Sequence, residues 1–347
     1  MAAFRTPQAW TGRDLAGRED WVCHLSAREI DELDVAVAAV QSRGLALTAI
    51  RRGDFPLETL ATTLGRLRHE MLHGRGFFFA RGVPVARYSP LERAIALVGM
   101  GQYLGELVSQ NGKGHILGHV KNLGLDFRDP ETRGYQTSAR LAYHTDYGDA
   151  VGLLCLQRSK AGGASSIVSS TTVWNELLRR RPDLAEALCA PLCYTRWGEI
   201  PAGRKRYSEI PVFTPWQGRM IAFMNTRTTI MKAQAFAEVP RVTEKQLEAL
   251  DFVDTLAADP ALHLDMDFQP GDLQFLCNHF VFHSRTAYED WPEPARRRHL
   301  LRLWLACDDG PALPPVMAND FQGSTAGGRP NGIHPPGVPF TAPIDAE

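Results

Sequence analysis

The chain has 347 residues, 44% of them hydrophobic and 22% charged, a composition typical of a globular protein with a substantial core. Its 38 lysines and arginines nearly cancel its 39 aspartates and glutamates, and no long run of one sign occurs, so neither a nucleic acid nor a membrane is an expected partner. No stretch has the apolar length of a membrane span, and the first residues lack an export segment, which predicts a cytoplasmic protein.

The first third of the chain is predicted to be mainly helical. Ser26, with Glu29 three residues later, is typical of an N-capped amphipathic helix. The apolar run 76–82 is bounded by glycines and predicts a buried strand. The helices predicted from the spacing of apolar residues cover residues 26–41, 57–72 and 90–107.

From residue 114 onward, short β-compatible runs separated by turn residues predominate. Segments 173–180 and 244–258 are predicted helices that interrupt them. This order predicts a mainly β fold with α: a double-stranded β-helix core, of the jelly-roll or cupin-like kind, with flanking helices. The predicted strand regions are 143–156, 165–170, 219–224, 265–268, 273–282 and 298–306.

Length alone favours about two domains, but barrels decorated with helices often use this much chain as a single unit. We therefore predict one domain. Its parts are an N-terminal helical layer (1–75), a jelly-roll core (76–306) and a Pro/Gly-rich C-terminal extension (307–347) within a single domain 1–347. The extension is either a wrapping loop or a poorly ordered tail, with Phe321 and Phe340 as candidate anchors.

Three candidate metal ligands occur in two separate segments of the chain. His144-Thr-Asp146 lies in strand-like sequence, so both side chains point to one face, and His283 follows after a segment long enough for several strands. Two imidazoles and one carboxylate leave the remaining positions of an octahedral metal open, which is the ligand set of non-haem Fe(II) oxygenases. The pattern predicts a metal site formed by His144, Asp146 and His283.

A competing pair, His263-Leu-Asp265, has the same spacing. The composition predicts about one His-x-Asp/Glu triplet by chance, so one of the two pairs is expected to be accidental. We favour the first pair because His283 comes only 18 positions after Asp265, which leaves little chain to form a barrel between them. His279 is interpreted as a packing or hydrogen-bonding histidine.

Several segments together resemble the TauD/TfdA group of Fe(II)/2-oxoglutarate-dependent dioxygenases. The similarity covers about residues 75–306, in the family's order, and the combination is more specific than any one part. The segments are His144-Thr-Asp146, Gly162-Gly-Ala-Ser165, 270–278, 283–290 and Arg298-His-Leu-Leu-Arg-Leu-Trp304.

The arginines of the last segment suggest anion binding. In a strand, Arg298 and Arg302 share a face, and buried cations need an anionic partner. The resemblance implies that Arg298 binds the distal carboxylate of 2-oxoglutarate, with Ser165 adding a hydroxyl. Arg302 and Arg140 are each read as a substrate-binding residue or as half of a structural ion pair. Tyr143, next to His144, is read either as a group that orients the ligands or as strand packing.

The resemblance implies Fe(II), 2-oxoglutarate as cosubstrate and O2. Oxidative decarboxylation would release succinate and CO2 while a C–H bond of a small polar or specialised metabolite is oxidised. Hydroxylation is the default outcome, and desaturation, cyclisation and fragment loss stay open. Retention of Asp146 disfavours a halogenase. The sequence leaves homo-oligomer formation open.

Two alternatives have the same three ligands: a non-catalytic metal-binding jelly-roll sensor or binding protein, and a zinc hydrolase. Neither has a use for Arg298, which favours the oxygenase. A lid that shapes substrate specificity is expected in 101–134 or 197–213, where Gly, Pro and polar residues cluster.

Overall fold

A computed structural model describes residues 1–126, 132–201, 203–318, 321 and 325–346. The helices are α1 (Gly12–Leu15), α2 (Ala27–Ser42), α3 (Thr59–His73), α4 (Pro90–Gly101), α5 (Ser170–Arg180), α6 (Pro182–Ala187), α7 (Arg227–Ala233), α8 (Glu244–Ala257) and α9 (Pro315–Ala318). None of these described helices is long and apolar enough to cross a membrane.

The strands alternate with these helices from residue 22 to residue 333. They are β1 (Val22–His24), β2 (Phe77–Arg81), β3 (Glu106–Gln110), β4 (Gly118–Lys121), β5 (Leu141–His144), β6 (Ala150–Gln157), β7 (Ala161–Gly162), β8 (Ser165–Ser169), β9 (Pro191–Thr195), β10 (Tyr207–Pro211), β11 (Phe213–Trp216), β12 (Arg219–Ala222), β13 (Leu264–Met266), β14 (Leu273–Cys277), β15 (Val281–Arg285), β16 (Tyr288–Glu289), β17 (His299–Ala306) and β18 (Gly332–Ile333).

Two sheets form the core. The major sheet has the order β1-β2-β14-β6-β17-β3-β18, with β4 also paired to β17, and the minor sheet has the order β13-β8-β15-β5. In the described part of the chain no ladder joins the two sheets, so hydrogen bonds do not close a barrel. The predicted double-stranded β-helix architecture with flanking helices is confirmed, as two facing sheets.

Helices cover the outer faces of both sheets. On the major sheet, α4 packs so closely that a Cβ at Gly101 would lie 2.8 Å from Cδ1 of Leu303. On the minor sheet, α5 lies against β8 and β15, and α8 lies against β5. Because each sheet buries one face under helices, the two uncovered faces are left to form the site between the sheets.

The predicted helix starts agree well with the structure, whereas one helix end was wrong. Ser26 accepts from the Glu29 backbone N–H, and the Glu29 carboxylate accepts from Ser26 N–H, which is the expected capping box. The helix predicted over 90–107 ends at Gly101, because the following residues pair with β17 as strand β3. That pairing depends on a strand about 200 residues away.

The C-terminal segment wraps against the core in residues 325–346. Arg329 forms a salt bridge with Asp149, whose side chain is fully buried. Phe321 is 2% exposed and packs on Phe223, with the two ring centroids 5.6 Å apart. Phe340 is 44% exposed and stacks on His334, so Phe321 and Arg329, rather than Phe340, hold the segment to the core.

Replacing Arg329 with glutamine should lower the free energy of unfolding by about 3 kcal/mol, because it leaves the buried Asp149 carboxylate short of its main counter-charge. Urea denaturation followed by circular dichroism measures the change. Arg179→Gln removes an arginine from an exposed ion pair on α5 and should leave the midpoint unchanged. Equal destabilisation of both variants would mean that the contact between Arg329 and Asp149 contributes no more to stability than an exposed ion pair.

Candidate metal and cosubstrate site

The loop between β5 and β6 carries the chain from the minor sheet to the major sheet. Asp146 lies on this loop, and its backbone N–H donates to Oδ1 of Asn278 over 3.0 Å. The side-chain amide of Asn278 donates to the carbonyl of Gly148 over 2.9 Å. Asn278 therefore fixes both sides of the loop, a role that sequence analysis missed although this amide lies only five residues before His283.

His144, Asp146 and His283 converge. One ligand atom from each lies within 4.8 Å of the others, and among the described residues this is the one group of three or more such side chains. His144 and His283 are paired across β5 and β15, with ring centroids 4.2 Å apart. The Asp146 Oδ2 atom lies 3.7 Å from Nε2 of His283. The structure brings together the trio that the sequence favoured.

Both imidazoles are in the form that binds a metal. Nδ1 of His144 lies 2.8 Å from the carbonyl of Ala142, so it carries the proton and leaves the lone pair on Nε2. Burial and the neighbouring His144 lower the pKa of His283 to about 3, and burial also lowers the pKa of His144. Both rings are therefore neutral at physiological pH.

Asp146 is held as a carboxylate. Burial raises its pKa, but the positive charge of Arg302, together with the hydrogen bond from Trp304, acts in the opposite direction, and the pKa lies below its usual value. Trp304 Nε1 donates to Oδ2 of Asp146 over 3.0 Å, and Nη1 of Arg302 lies 3.9 Å from Oδ1. Two neutral nitrogens and one anionic oxygen form the donor set that suits a divalent iron ion.

The competing pair lies elsewhere. The Asp265 side chain is 68% exposed on the edge strand β13, with His263 Nε2 3.6 Å from it. His279 instead lies 2.8 Å from the buried carboxylate of Asp149, which supports its interpretation as a hydrogen-bonding histidine. Asp149 also accepts from the backbone N–H of Cys307, so it connects β17, β14 and the C-terminal segment.

Arg298 lies immediately before β17 and is 5% exposed. Its Nη1 atom has no hydrogen-bond partner in the described parts of the chain, and its Nη2 atom has only a long contact of 3.5 Å with the carbonyl of Gly163. Burial lowers the pKa of this guanidinium from its usual value. A cavity of about 220 Å³ lies beside it, bounded also by Cys155 and Leu300. A buried cation with an unused donor needs an anion.

Ser165 and a second arginine, Arg285, are neighbours on adjacent strands of the minor sheet. Ser165 on β8 is the direct cross-strand partner of Arg285 on β15, and both are buried. Burial, and then the charge of Arg298, lower the pKa of Arg285 to about 10. Sequence analysis did not single out Arg285 as a binding residue, because an arginine two residues after a histidine looks like any loop-stabilising cation.

Arg302 lies four residues after Arg298, in the middle of β17. It is 8% exposed, its Nε donates to Oε1 of Gln110 over 2.7 Å, and its guanidinium lies 4.7 Å from the Tyr135 ring. The Gln110 amide donates to the carbonyls of Ile116 and Arg302, so Gln110 is itself fixed. The nearby acid is Asp146, a member of the trio, rather than the surface acid of the alternative reading.

A second cavity, of about 260 Å³, opens beside Arg302 and Gln110. Its other walls come from both predicted lid segments and from the C-terminal segment, through Arg133, Trp197 and Pro343. Glu199 joins the lid segments: it accepts from the backbone N–H of Gly112 over 2.7 Å and from Nη2 of Arg133 over 2.6 Å. The walls of this cavity therefore come from segments that are far apart in the sequence.

For Arg140 and Tyr143, position favours one of the two readings that the sequence leaves open. Arg140 is exposed, and the groups whose pKa it affects are Tyr143 and Asp254, on the helix-covered side of the minor sheet. Because neighbouring residues on a strand point to opposite faces, Tyr143 points away from the side of the sheet that carries His144. Its hydroxyl lies 2.7 Å from Oγ of Ser166. These positions favour the structural reading of Arg140 over substrate binding, and the strand-packing reading of Tyr143 over a role in orienting the ligands.

Comparison with known proteins decides the family. The model of the family described as taurine catabolism dioxygenase TauD, TfdA family matches residues 41–304. The chain belongs to the TauD/TfdA family. This membership confirms the enzyme class predicted from the sequence: a 2-oxoglutarate-dependent dioxygenase, which uses Fe(II), 2-oxoglutarate and O2.

TauD/TfdA relatives match along most of the chain. FR-33289 synthase of Streptomyces rubellomurinus is 28% identical, over 92% of this chain and 95% of the relative. A taurine hydroxylase-like protein, SAT17, of Stachybotrys chartarum is 30% identical, over 90% of this chain and 82% of the relative. A solved structure of asparagine oxygenase with Fe(II), 3-hydroxyasparagine and succinate is 18% identical, with a TM-score of 0.65 over 82% of this chain and 93% of that one, and it shows the shared fold.

Proposed function

We propose that His144, Asp146 and His283 hold the Fe(II) of this dioxygenase and that Arg298 and Ser165 bind the distal carboxylate of 2-oxoglutarate. The observation that carries the proposal is the pairing of a convergent trio with a buried guanidinium whose Nη1 has no partner among the described residues. A sensor or a hydrolase built on the same trio would leave that cation unexplained.

When bound, iron and 2-oxoglutarate supply O2 activation, with oxidative decarboxylation of the 2-oxo acid to succinate and CO2. The chain's own residues provide positions and charge. Arg298 presents a rigid fork that matches a carboxylate in two parallel hydrogen bonds. Trp304 and Arg302 keep Asp146 ionised and oriented, and His144 is locked in the required tautomer by the Ala142 carbonyl.

The substrate is proposed to be a small polar metabolite with an anionic group, and the reaction hydroxylation of one of its C–H bonds. Arg302 supports this because it lines the second cavity while Gln110 holds its Nε. Arg133 lies on another wall of the same cavity. The name of the SAT17 relative refers to taurine, a sulfonate, which agrees with an anionic substrate. Arg302 would bind the anion and leave the rest of the molecule toward the metal trio.

Adding Fe(II) and 2-oxoglutarate to the purified protein without O2 tests the proposal. We expect the visible charge-transfer band of an iron-bound 2-oxo acid, and then succinate when O2 and ascorbate are admitted. A protein that binds iron without developing the band, and that yields no succinate over a panel of carboxylates, sulfonates and phosphonates, would contradict the proposed site.

Gln110→Leu should raise the KM for the substrate about tenfold, since it removes the acceptor that orients Arg302. The affinity for 2-oxoglutarate should stay at the wild-type value, because Gln110 does not touch Arg298. Steady-state succinate formation with the substrate found in the panel measures the first quantity, and the charge-transfer band measures the second. If the affinity for 2-oxoglutarate fell as much as the KM for the substrate rose, the substitution would be disturbing the whole site.

A further inference from the structure

Arg285 lies on the same wall as the metal trio. It follows His283 by two residues on β15, so the two side chains share a face, and it stands directly opposite Ser165 on β8. The side chain is 4% exposed. An arginine is thus buried at the strand position next to the hydroxyl proposed to bind 2-oxoglutarate.

Only part of this guanidinium is used within the protein. Nη2 of Arg285 donates to the carbonyl of Thr137 over 3.0 Å and to the carbonyl of Ala139. Its Nε and Nη1 atoms are buried and have no partner in the part of the chain that the structure describes. A clamp on two backbone carbonyls needs a single nitrogen, so it does not account for the other two.

The guanidinium groups of Arg285 and Arg298 approach one tyrosine. Their central carbons lie 4.7 and 5.2 Å from the centre of the Tyr288 ring. The nearby carboxylate of Asp290 accepts from the backbone N–H of Arg298 through Oδ1, and neither guanidinium forms a salt bridge among the described residues. Two buried like charges this close repel each other and carry a desolvation cost, so an anion between them would be strongly favoured.

We propose that Arg285 is a second arginine of the 2-oxoglutarate subsite, donating with Arg298 to the distal carboxylate. This inference rests on the proposed function. The two side chains offer three unpartnered nitrogens, Nε and Nη1 of Arg285 and Nη1 of Arg298, to a carboxylate that accepts about four hydrogen bonds. The arrangement selects a dicarboxylic 2-oxo acid over one that ends in a methyl group, because only the dicarboxylate brings an acceptor to the unpartnered nitrogens of the pair.

The test compares two 2-oxo acids on three proteins. Wild type, Arg285→Gln and Arg285→Lys, each loaded with Fe(II) without O2, are titrated with 2-oxoglutarate and with 2-oxopentanoate, which has a methyl group in place of the distal carboxylate. The charge-transfer band and calorimetry report the dissociation constants, and circular dichroism reports the fold. Arg285→Gln should raise the Kd for 2-oxoglutarate about 10- to 100-fold while changing the Kd for 2-oxopentanoate less than about threefold.

Arg285→Lys keeps the charge without the fork, so its loss of 2-oxoglutarate affinity should be smaller than that of the glutamine variant. It also keeps the test usable if the glutamine variant does not fold, since the preference for 2-oxoglutarate over 2-oxopentanoate should still fall below the wild-type ratio. Arg296→Gln, an exposed arginine nearby, should leave both constants unchanged.

An equal loss of affinity for both 2-oxo acids, or no loss for either, would overturn the assignment and leave Arg285 as a clamp on the Thr137 and Ala139 carbonyls. Failure of the proposed function gives a different result, because wild type itself would then develop no band with 2-oxoglutarate. The wild-type titration thus separates the two failures.

Discussion

Asp146→Ala should lower succinate formation by more than about 100-fold, because even the loss of a residue that merely supports a metal ligand costs 10- to 100-fold. The substitution removes the one anionic donor of the trio and leaves the buried Arg302 without the carboxylate 3.9 Å away. Iron binding, measured by equilibrium dialysis without O2, should weaken together with activity, and the charge-transfer band should disappear at iron concentrations that saturate wild type.

Asp265→Ala is the matched control. It removes the carboxylate of the competing His263-Leu-Asp265 motif, which is 68% exposed and lies on the edge strand β13. This variant should bind iron and form succinate at the wild-type level. The choice between the two motifs would be reversed if Asp265→Ala lost iron and Asp146→Ala kept it.

Arg298→Gln should raise the concentration of 2-oxoglutarate needed for half-maximal activity by about 100-fold, since charge-assisted hydrogen bonds contribute about 1.5–3 kcal/mol and a fork forms two of them. Iron affinity in the absence of 2-oxoglutarate should change little, because in the described parts of the chain Arg298 forms no hydrogen bond or ion pair with His144, Asp146 or His283. Titrating the charge-transfer band gives the 2-oxoglutarate constant, and dialysis gives the iron constant.

The control for this variant is Arg296→Gln, two residues earlier, where the arginine is exposed and lies over the Trp291 ring. Its 2-oxoglutarate requirement should match wild type. A parallel fall of iron and 2-oxoglutarate affinity in Arg298→Gln would point to misfolding, and an unchanged 2-oxoglutarate requirement would remove Arg298 from the cosubstrate subsite.

Two cavities lie along β17, one beside each of its two buried arginines. Arg298 lies beside the cavity of about 220 Å³ and Arg302 beside the one of about 260 Å³. Their spacing of four residues puts them on one face of the strand, with Leu300 between them. One strand thus presents a cation to each proposed ligand, and the Asp146 carboxylate lies next to Arg302, the cation proposed to bind the substrate.

The sequence by itself determined the features that depend on local spacing or on a complete motif. His144 and Asp146 were chosen because they lie two apart and far from His283, and the two-residue period of a strand placed Arg298 and Arg302 on one face. The start of α2 followed from Ser26 and Glu29, because a capping box is made within four residues.

Only the tertiary structure decided which side of a sheet or which neighbour a residue meets. Local spacing singles out Arg140 as a candidate substrate-binding residue and does not single out Arg285, yet Arg140 is exposed and Arg285 is buried beside Ser165. Gln110 and Asn278 acquired their roles through hydrogen bonds to partners 192 and 132 residues away. Such contacts are fixed by strand order and register, which local spacing does not encode.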